Sequence, residues 1–463
     1  MKPCRRRRLH RPTGHEHAVV IGAGIAGLLT ARVLTESFTR VTIIERDRLG
    51  PLPLPRKGVP QGRHAHALQA RGLQAFEELL PGIRQELAAA GAPPVDFCRD
   101  GRLYLPSGSP PPQDSGIHIQ PVSRPLLEAI VREHVLRTPD IRLRDACTVV
   151  GLTTIDGGRT VTGVRLRPRS IRRDIDTEVT NQEADLVVDA SGRGSHLPDW
   201  LTALGLPHVA ESVVDAEVGY ATRVYHTTTP SGWRAIFELP QPPADRRGVF
   251  ALRVENDLLI VTLQGAAGDH PPTDDGGFDA FIKSLSCDLH ETVRHSRPQS
   301  TAVRYARTAN LRRRYDRLPR WPDGLMVLGD AACTLNPVYA QGMTVAALEA
   351  LALRELLTRR HRRPSAGIAG EFQRRVARVT VWPWVIATLP DRAWQDERPP
   401  LPFRLGLWYL DRWQRHVPTD PRMFHDIARI TNMTGSPLLL FHPRHVTHMA
   451  ITTLRRTRRA PGP

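Results

Sequence analysis

The sequence predicts an α/β fold: a layered domain on a parallel sheet, with an antiparallel sheet inserted into it and a helical C-terminal part. Three observations predict this. A short apolar run near residue 17 enters a glycine turn and then a helical pattern. Residues 205–320 read as successive strands, and residues 366–456 show mostly helical spacing.

In chain order, HAVVI (17–21) is of strand length, GAGIAG follows as a turn, and LLTARVLTESF has the apolar spacing of a helix. VTIIE (41–45) is the next strand and closes a βαβ unit. The Pro/Gly-rich loop GPLPLPRKGVPQGR (50–63) leads to a helix over 68–80, stopped by Pro81-Gly82. A second helix runs over 123–137, with Ser123 as N-cap and Pro125 in its first turn. Asp156-Gly157-Gly158 between apolar runs signals a hairpin, and ADLVVDASG (184–192) is a strand entering a glycine turn. VGYATRVYHTT, WRAIFEL, GVFALRVE and LLIVTLQG form the antiparallel sheet, and FDAFIKSL starts a helix. GLMVLGDAA (324–332) is again strand then turn, and a long helix covers 342–360. No internal repeat is present.

Composition bounds the function. The 463 residues are 40% hydrophobic and 24% charged, which excludes whole-chain disorder. The net charge is 64 − 47 = +17. Residues 1–11 and 451–463 carry ten of those positive charges and no acid, so the excess is a matter of solvated tails rather than of a nucleic-acid face. Cys4, Cys98, Cys147, Cys287 and Cys333 form no C-x-x-C pair, which indicates neither a zinc site nor a disulfide framework. No metal site is expected. The N-terminus lacks the apolar region of a secretion signal, and no run of about 18 apolar residues exists. A cytoplasmic location is the expectation.

Gly22-Ala23-Gly24-Ile25-Ala26-Gly27 is G-x-G-x-x-G between strand and helix. Gly22 permits the tight turn, Gly24 the approach of a pyrophosphate, and Gly27 close helix–strand packing. The free N–H groups of the helix start attract an anion. Glu45 ends the second strand 45 − 27 = 18 residues later, where a carboxylate accepts from ribose hydroxyls. This Rossmann-like unit points to FAD or NAD rather than NADP.

Two further stretches, ADLVVDASGRGSHLPDW (184–200) and DGLMVLGDAACTLNPVYAQGMTVAALEAL (323–351), resemble the DG and GD motifs of FAD-dependent aromatic hydroxylases and squalene-epoxidase-like monooxygenases. RKGVPQGRHAHAL (56–68) resembles an actinobacterial subgroup of that superfamily which includes polyether epoxidases. The resemblance runs from about residue 17 to 360. It implies FAD as cofactor and NAD(P)H as transient co-substrate, and it assigns residues. Asp189 and Gly192 match the DG motif. Gly329 and Asp330 match the GD motif, with Asp330 toward a ribityl or ribose hydroxyl. Pro337 belongs to the loop that follows. Gly342 and Met343 start the helix that faces the isoalloxazine. Arg124, and with it Arg56, match arginines near ribityl and phosphate. The subgroup reads N-P-x-Y-G-Q-G-M; Ala340 replaces its first glycine, and a positive φ there is costly for alanine.

Other residues carry less. His64 and His66 lack a third metal ligand and suit packing or hydrogen bonding near the flavin loop. Trp382-Pro383-Trp384-Val385-Ile386 departs from the W-x-W-x-I-P mark of flavin halogenases in ending on Ala387 and in lying after the GD motif. Cys333, Ser191 and Ser195 read as packing and turn residues. Tyr220, Arg223 and Tyr225 alternate on the first strand of the second sheet, which by analogy lines a substrate pocket.

The expected division is a disordered basic tail (1–16), FAD-binding segments (17–92, 121–204, 321–365), a substrate-side insertion (93–120), the antiparallel substrate domain (205–320) and a helical C-terminal region (366–463). The resemblance implies monooxygenation of a hydrophobic polyketide, terpenoid or aromatic molecule through a flavin C4a-hydroperoxide, in secondary metabolism. A [4+2] cyclase with a structural flavin and an isoprenoid reductase are the alternatives; a basic nucleic-acid-binding protein is the rival from another class. The apolar and basic segments 405–417 and 438–459 add peripheral membrane contact as an expectation.

Overall fold

A computed structural model describes residues 16–169, 178–362, 367–395 and 401–450. Both basic stretches, 1–11 and 451–463, and the disorder expected of the N-terminal tail lie outside the described residues.

The chain begins with β1 (His17–Ile21), α1 (Ile25–Leu34) and β2 (Arg40–Ile44). There follow α2 (Ala70–Leu79), α3 (Arg124–Leu136), β3 (Ile141–Arg144), the hairpin β4 (Cys147–Ile155) and β5 (Thr160–Pro168), and β6 (Leu186–Asp189). The second sheet is built from β7 (Gly219–His226), β8 (Ala235–Glu238), β9 (Arg247–Arg253) and β10 (Leu258–Gly265), covered by α4 (Asp275–Lys283) and α5 (Leu289–Arg294). Then come β11 (Leu325–Val327) and five helices: α6 (Gly342–Arg362), α7 (Ile368–Val379), α8 (Val381–Gln395), α9 (Leu401–Gln414) and α10 (Pro421–Thr431).

The first sheet is wholly parallel, in the order β11-β6-β1-β2-β3. Apart from the edge strand β3, whose arginines are exposed, its strands are almost continuous apolar runs because both faces are covered. α1 packs against α6 and α3, and the β4–β5 hairpin joins the same core through Val149, Val161, Val164 and Leu166. Pairing of Ile21 with Ile44 and Asp189, and of Asp189 with Val327, levels the carboxyl ends of four strands. The turns that carry Gly22, Glu45, Ala190 and Leu328 therefore meet at one rim, where open parallel sheets bind ligands.

The second sheet is antiparallel through β7, β10, β9 and β8. Gly101–Tyr104 then pairs parallel with β8, so part of the 93–120 insertion is an edge strand of this sheet. The same insertion packs on the C-terminal helices: Cys98 and Ile117 share a core with Trp413, Phe424 and Met423.

Candidate active site

Gly22 and Gly27 of the first turn are required by their surroundings. Gly22 has φ +103°, and a Cβ on it would stand 2.6 Å from the Ala190 carbonyl oxygen. A Cβ on Gly27 would meet the Gly22 carbonyl oxygen at 1.9 Å. Before Gly24 the nearest atom to such a Cβ is an Arg56 nitrogen at 3.9 Å, which leaves room at the start of α1 for an anion.

Behind this turn lies a buried chain of alternating charge. Glu45 accepts from the Ala23 N–H at 2.8 Å and the Asp47 N–H at 2.9 Å. Arg56 donates to Glu45 at 3.0 Å, to Glu128 at 2.9 Å and to the Ala23 carbonyl at 3.1 Å. Arg124, the first residue of α3, donates to Glu128 at 2.7 Å. Burial disfavours ionised Glu128, but Arg124 and Arg56 outweigh it and hold the carboxyl below its ordinary value. Arg56 is thus no solvated surface arginine; it ties the glycine turn to α3. Ser123 caps α3 by accepting from the Leu126 N–H.

Asp189 is fully buried and holds its own turn: it accepts from the Ser191 N–H at 2.9 Å and the Ser195 hydroxyl at 2.5 Å. Gly192, at φ +84°, sits on that turn with open space before it. Gly329 takes φ +64°, and a Cβ on it would press the Ala26 methyl at 2.8 Å, so the GD turn lies on α1. Its N–H donates to Glu349 of α6 at 2.7 Å. Burial pushes the Glu349 carboxyl up to about 8; the Gly329 N–H lowers it and Asp330 raises it further. The Asp330 carboxylate takes no hydrogen bond from any described residue. Burial raises its pKa against the pull of Arg124 and Arg193. A Cβ on Gly342, the exposed first residue of α6, would find its nearest neighbour in that carboxylate, at 3.9 Å. Met343 packs into the main core.

The loop between, Asn336 to Ala340, is held from the C-terminal helices. Asp391 of α8 accepts from Asn310 at 2.7 Å, Asn336 at 2.9 Å and the Tyr339 hydroxyl at 2.7 Å. Pro337 opens the turn that these bonds fix, and Ala340 closes it at φ +51°. The glycine conformation is kept by a residue that bears a Cβ. Neither Asp391 nor Glu128 and Glu349 was marked by a motif; only their burial in the folded chain exposes them.

The three residues proposed for a substrate pocket divide. Tyr220 faces the first domain and donates to Asn336 at 3.3 Å. Arg223 and Tyr225 lie on the opposite face of β7, beneath α4, where Arg223 pairs with Asp275 and covers the Phe278 ring. They are not brought to the site, because alternation assigns residues to a common face without saying which face is covered by helices. His64, by contrast, is brought there: its Nδ1 meets Thr222 Oγ1 at 2.7 Å, and its ring borders Tyr220 and Tyr305. His66 bonds to the His64 carbonyl.

This arrangement fits an adenine-flavin dinucleotide. An open helix start suits its diphosphate, an unengaged carboxylate suits its sugar alcohol, and a side-chain-free helix end leaves room for a ring. When bound, the flavin supplies the redox chemistry, which the protein's own side chains lack.

Comparison with known proteins agrees. The family described as FAD binding domain matches residues 16–366. Protein Rv3254 of Mycobacterium tuberculosis is 33% identical over 418 residues, 88% of this chain and 87% of that protein. Squalene epoxidase 4 of Arabidopsis thaliana is 25% identical over 365 residues, 75% of this chain and 63% of its own length. The structure of the flavin-dependent brominase Bmp2 shares the fold, with a TM-score of 0.65 at 15% identity over 95% of this chain and 100% of that one. The chain belongs to the FAD-binding domain family and is an FAD-dependent oxidoreductase of the monooxygenase superfamily.

Proposed function

We propose that this protein transfers one oxygen atom of O2 to a hydrophobic small molecule, an alkene or an aromatic ring, at the expense of NAD(P)H. In balance, substrate, O2, NAD(P)H and a proton yield the oxygenated product, water and NAD(P)+. The observation that carries the reading is the Asp330 carboxylate, without a hydrogen-bond donor among the described residues, beside the open start of α6. The similarity to squalene epoxidase 4 supports epoxidation in particular.

The chain's own residues have three tasks. Gly24 and the α1 N–H groups, with Arg124 and Arg56 nearby, bind the anionic end of the cofactor. Asp330 orients its hydroxyl-bearing chain. The start of α6 presents partial positive charge to whatever negative charge develops on the ring, while the second sheet excludes water from it. Ala340 keeps the left-handed backbone, so the departure from glycine lends no weight to a cyclase with a merely structural flavin.

The test is reconstitution with FAD and reaction under labelled O2. Incorporation of the label with equimolar NAD(P)H consumption is expected. Substrate conversion without either reactant would overturn the reading. Asp330→Ala should weaken FAD binding by about 1.5–3 kcal/mol, roughly ten- to a hundredfold. We also propose weak peripheral contact with a lipid surface, a cytoplasmic location and no nucleic-acid partner. No helix among the described residues is long and apolar enough to cross a membrane. Leu401, Leu405 and Trp408 are exposed at one-turn spacing on α9, with Leu438 and Phe441 also exposed. Co-sedimentation with anionic vesicles that is lost in a Leu405→Asp, Trp408→Asp variant is expected; no binding at low salt ends the idea.

A further inference from the structure

The face of the second sheet that meets the first domain contains buried polar groups with no partner. In antiparallel register Tyr220 lies opposite Gln264 and Thr222 opposite Thr262, so all four share one face; Tyr305 lies opposite Tyr220 on the other side. Gln264 is fully buried, and neither its amide nitrogen nor its oxygen has a partner. His64 is 4% exposed, and its Nε2 has none either. An unpaired buried polar group costs about 1–3 kcal/mol, and native proteins carry few.

The hydrogen-bond chain behind His64 decides which nitrogen holds its proton. The Ala65 N–H donates to Thr262 Oγ1 at 2.9 Å. Thr262 Oγ1 lies 2.7 Å from Thr222 Oγ1, which lies 2.7 Å from His64 Nδ1. Were Thr222 to donate to Thr262, the Thr262 proton would find no acceptor among the described residues. The alternative run, from Thr262 to Thr222 to an accepting Nδ1, satisfies both hydroxyls and leaves the imidazole proton on Nε2; this is the arrangement in which a ligand acceptor at Nε2 completes the chain. Nε2 is unpaired, and the Tyr220 and Tyr305 ring centroids lie 5.7 and 5.2 Å from the imidazole. Burial, with His66 and Arg63 nearby, pushes the imidazole down to about 3, so it remains a neutral donor.

We propose that this face recognises the substrate and selects a flat, uncharged molecule bearing a carbonyl or enol oxygen. The oxygen accepts from His64 Nε2–H, a second polar atom pairs with the Gln264 amide, and the conjugated plane lies along the tyrosine rings. The proposal rests on the oxygenase reading and narrows it. A pure hydrocarbon would leave both polar groups unpaired. Tyr305, half-buried on the edge strand Val303–Tyr305, is the ring that turns aside to admit the ligand.

The experiment uses the FAD-loaded full chain and follows the flavin absorbance during titration with acetylnaphthalene and with ethylnaphthalene, near-isosteres with and without the carbonyl. The ketone should bind about tenfold tighter. His64→Leu and Gln264→Leu should each erase most of that preference with FAD content unchanged. His64→Gln, whose amide nitrogen reaches near the Nε2 position, should retain most of it. Equal affinities, a preference that survives both leucine variants, or no response to either probe overturns the proposal. Protein that holds flavin and accepts hydride from NAD(P)H yet shows no preference refutes this assignment alone; colourless protein refutes the oxygenase reading as well.

Discussion

Ala340 and Glu349 show how single positions carry cost at this site. A residue with a Cβ in the left-handed region costs about 1–2 kcal/mol, partly offset in glycine by chain entropy. Ala340→Gly should therefore stabilise the protein by about 1 kcal/mol, read from the urea midpoint; an unchanged or lower midpoint would show that the loop is relaxed as it stands. Glu349 has the opposite character. Its folded pKa is raised to about 8 from an ordinary 4.5, mainly by burial, so the folded chain favours the protonated carboxyl. That contribution is complete below pH 4.5 and is lost as pH rises through 8. Glu349→Gln keeps a neutral acceptor for the Gly329 N–H at every pH. Its melting temperature should equal that of the wild type near pH 4.5 and exceed it increasingly toward pH 8.5; parallel curves would refute the assignment.

Among elements, α8 matters most, because it is the part of the C-terminal region that grips the Asn336–Ala340 loop. Asp391→Ala removes the acceptor of two buried amides, Asn310 and Asn336, and of the half-buried Tyr339 hydroxyl, at about 1 kcal/mol each. Stability should fall by about 3 kcal/mol, and FAD affinity by about tenfold; an unchanged dissociation constant would show that the loop is held elsewhere. The elements themselves were readable because their signals are local: the glycine turn after β1, Ser123 at the start of α3, the Asp-Gly-Gly hairpin, the GD turn before α6. The grip was not, since Asp391 lies 55 residues beyond Asn336 and announces itself only as a polar residue after Pro390. Gly101–Tyr104 escaped for the same reason, as it pairs with a strand more than a hundred residues away. The sequence suits His64 to packing or hydrogen bonding near the flavin loop, and a one-dimensional pattern has no means to show that Nε2 lacks a partner.

For the whole molecule, the C-terminal helices act as a clasp between the insertion and the first domain. Trp413 is fully buried against Cys98 and Ile117. Trp413→Ala should cost about 3–5 kcal/mol and make α9 and α10 early targets of limited proteolysis while the flavin stays bound; simultaneous loss of flavin and helices would show one cooperative unit instead. A last consequence follows from the order of strands in the parallel sheet. One of its edge strands, β11, is separated in the chain from its neighbour β6 by β7 to β10. During synthesis, four of the five strands emerge early and wait, with the edge of β6 unsatisfied, until more than a hundred further residues have left the ribosome. Ribosome-arrested chains ending near residue 320 should therefore retain no flavin, whereas release of about fifty more residues, enough to deliver Asp330 and α6, should allow capture. On this expectation the cofactor enters once the parallel sheet is complete, before the C-terminal helices close over it, and does not seed assembly.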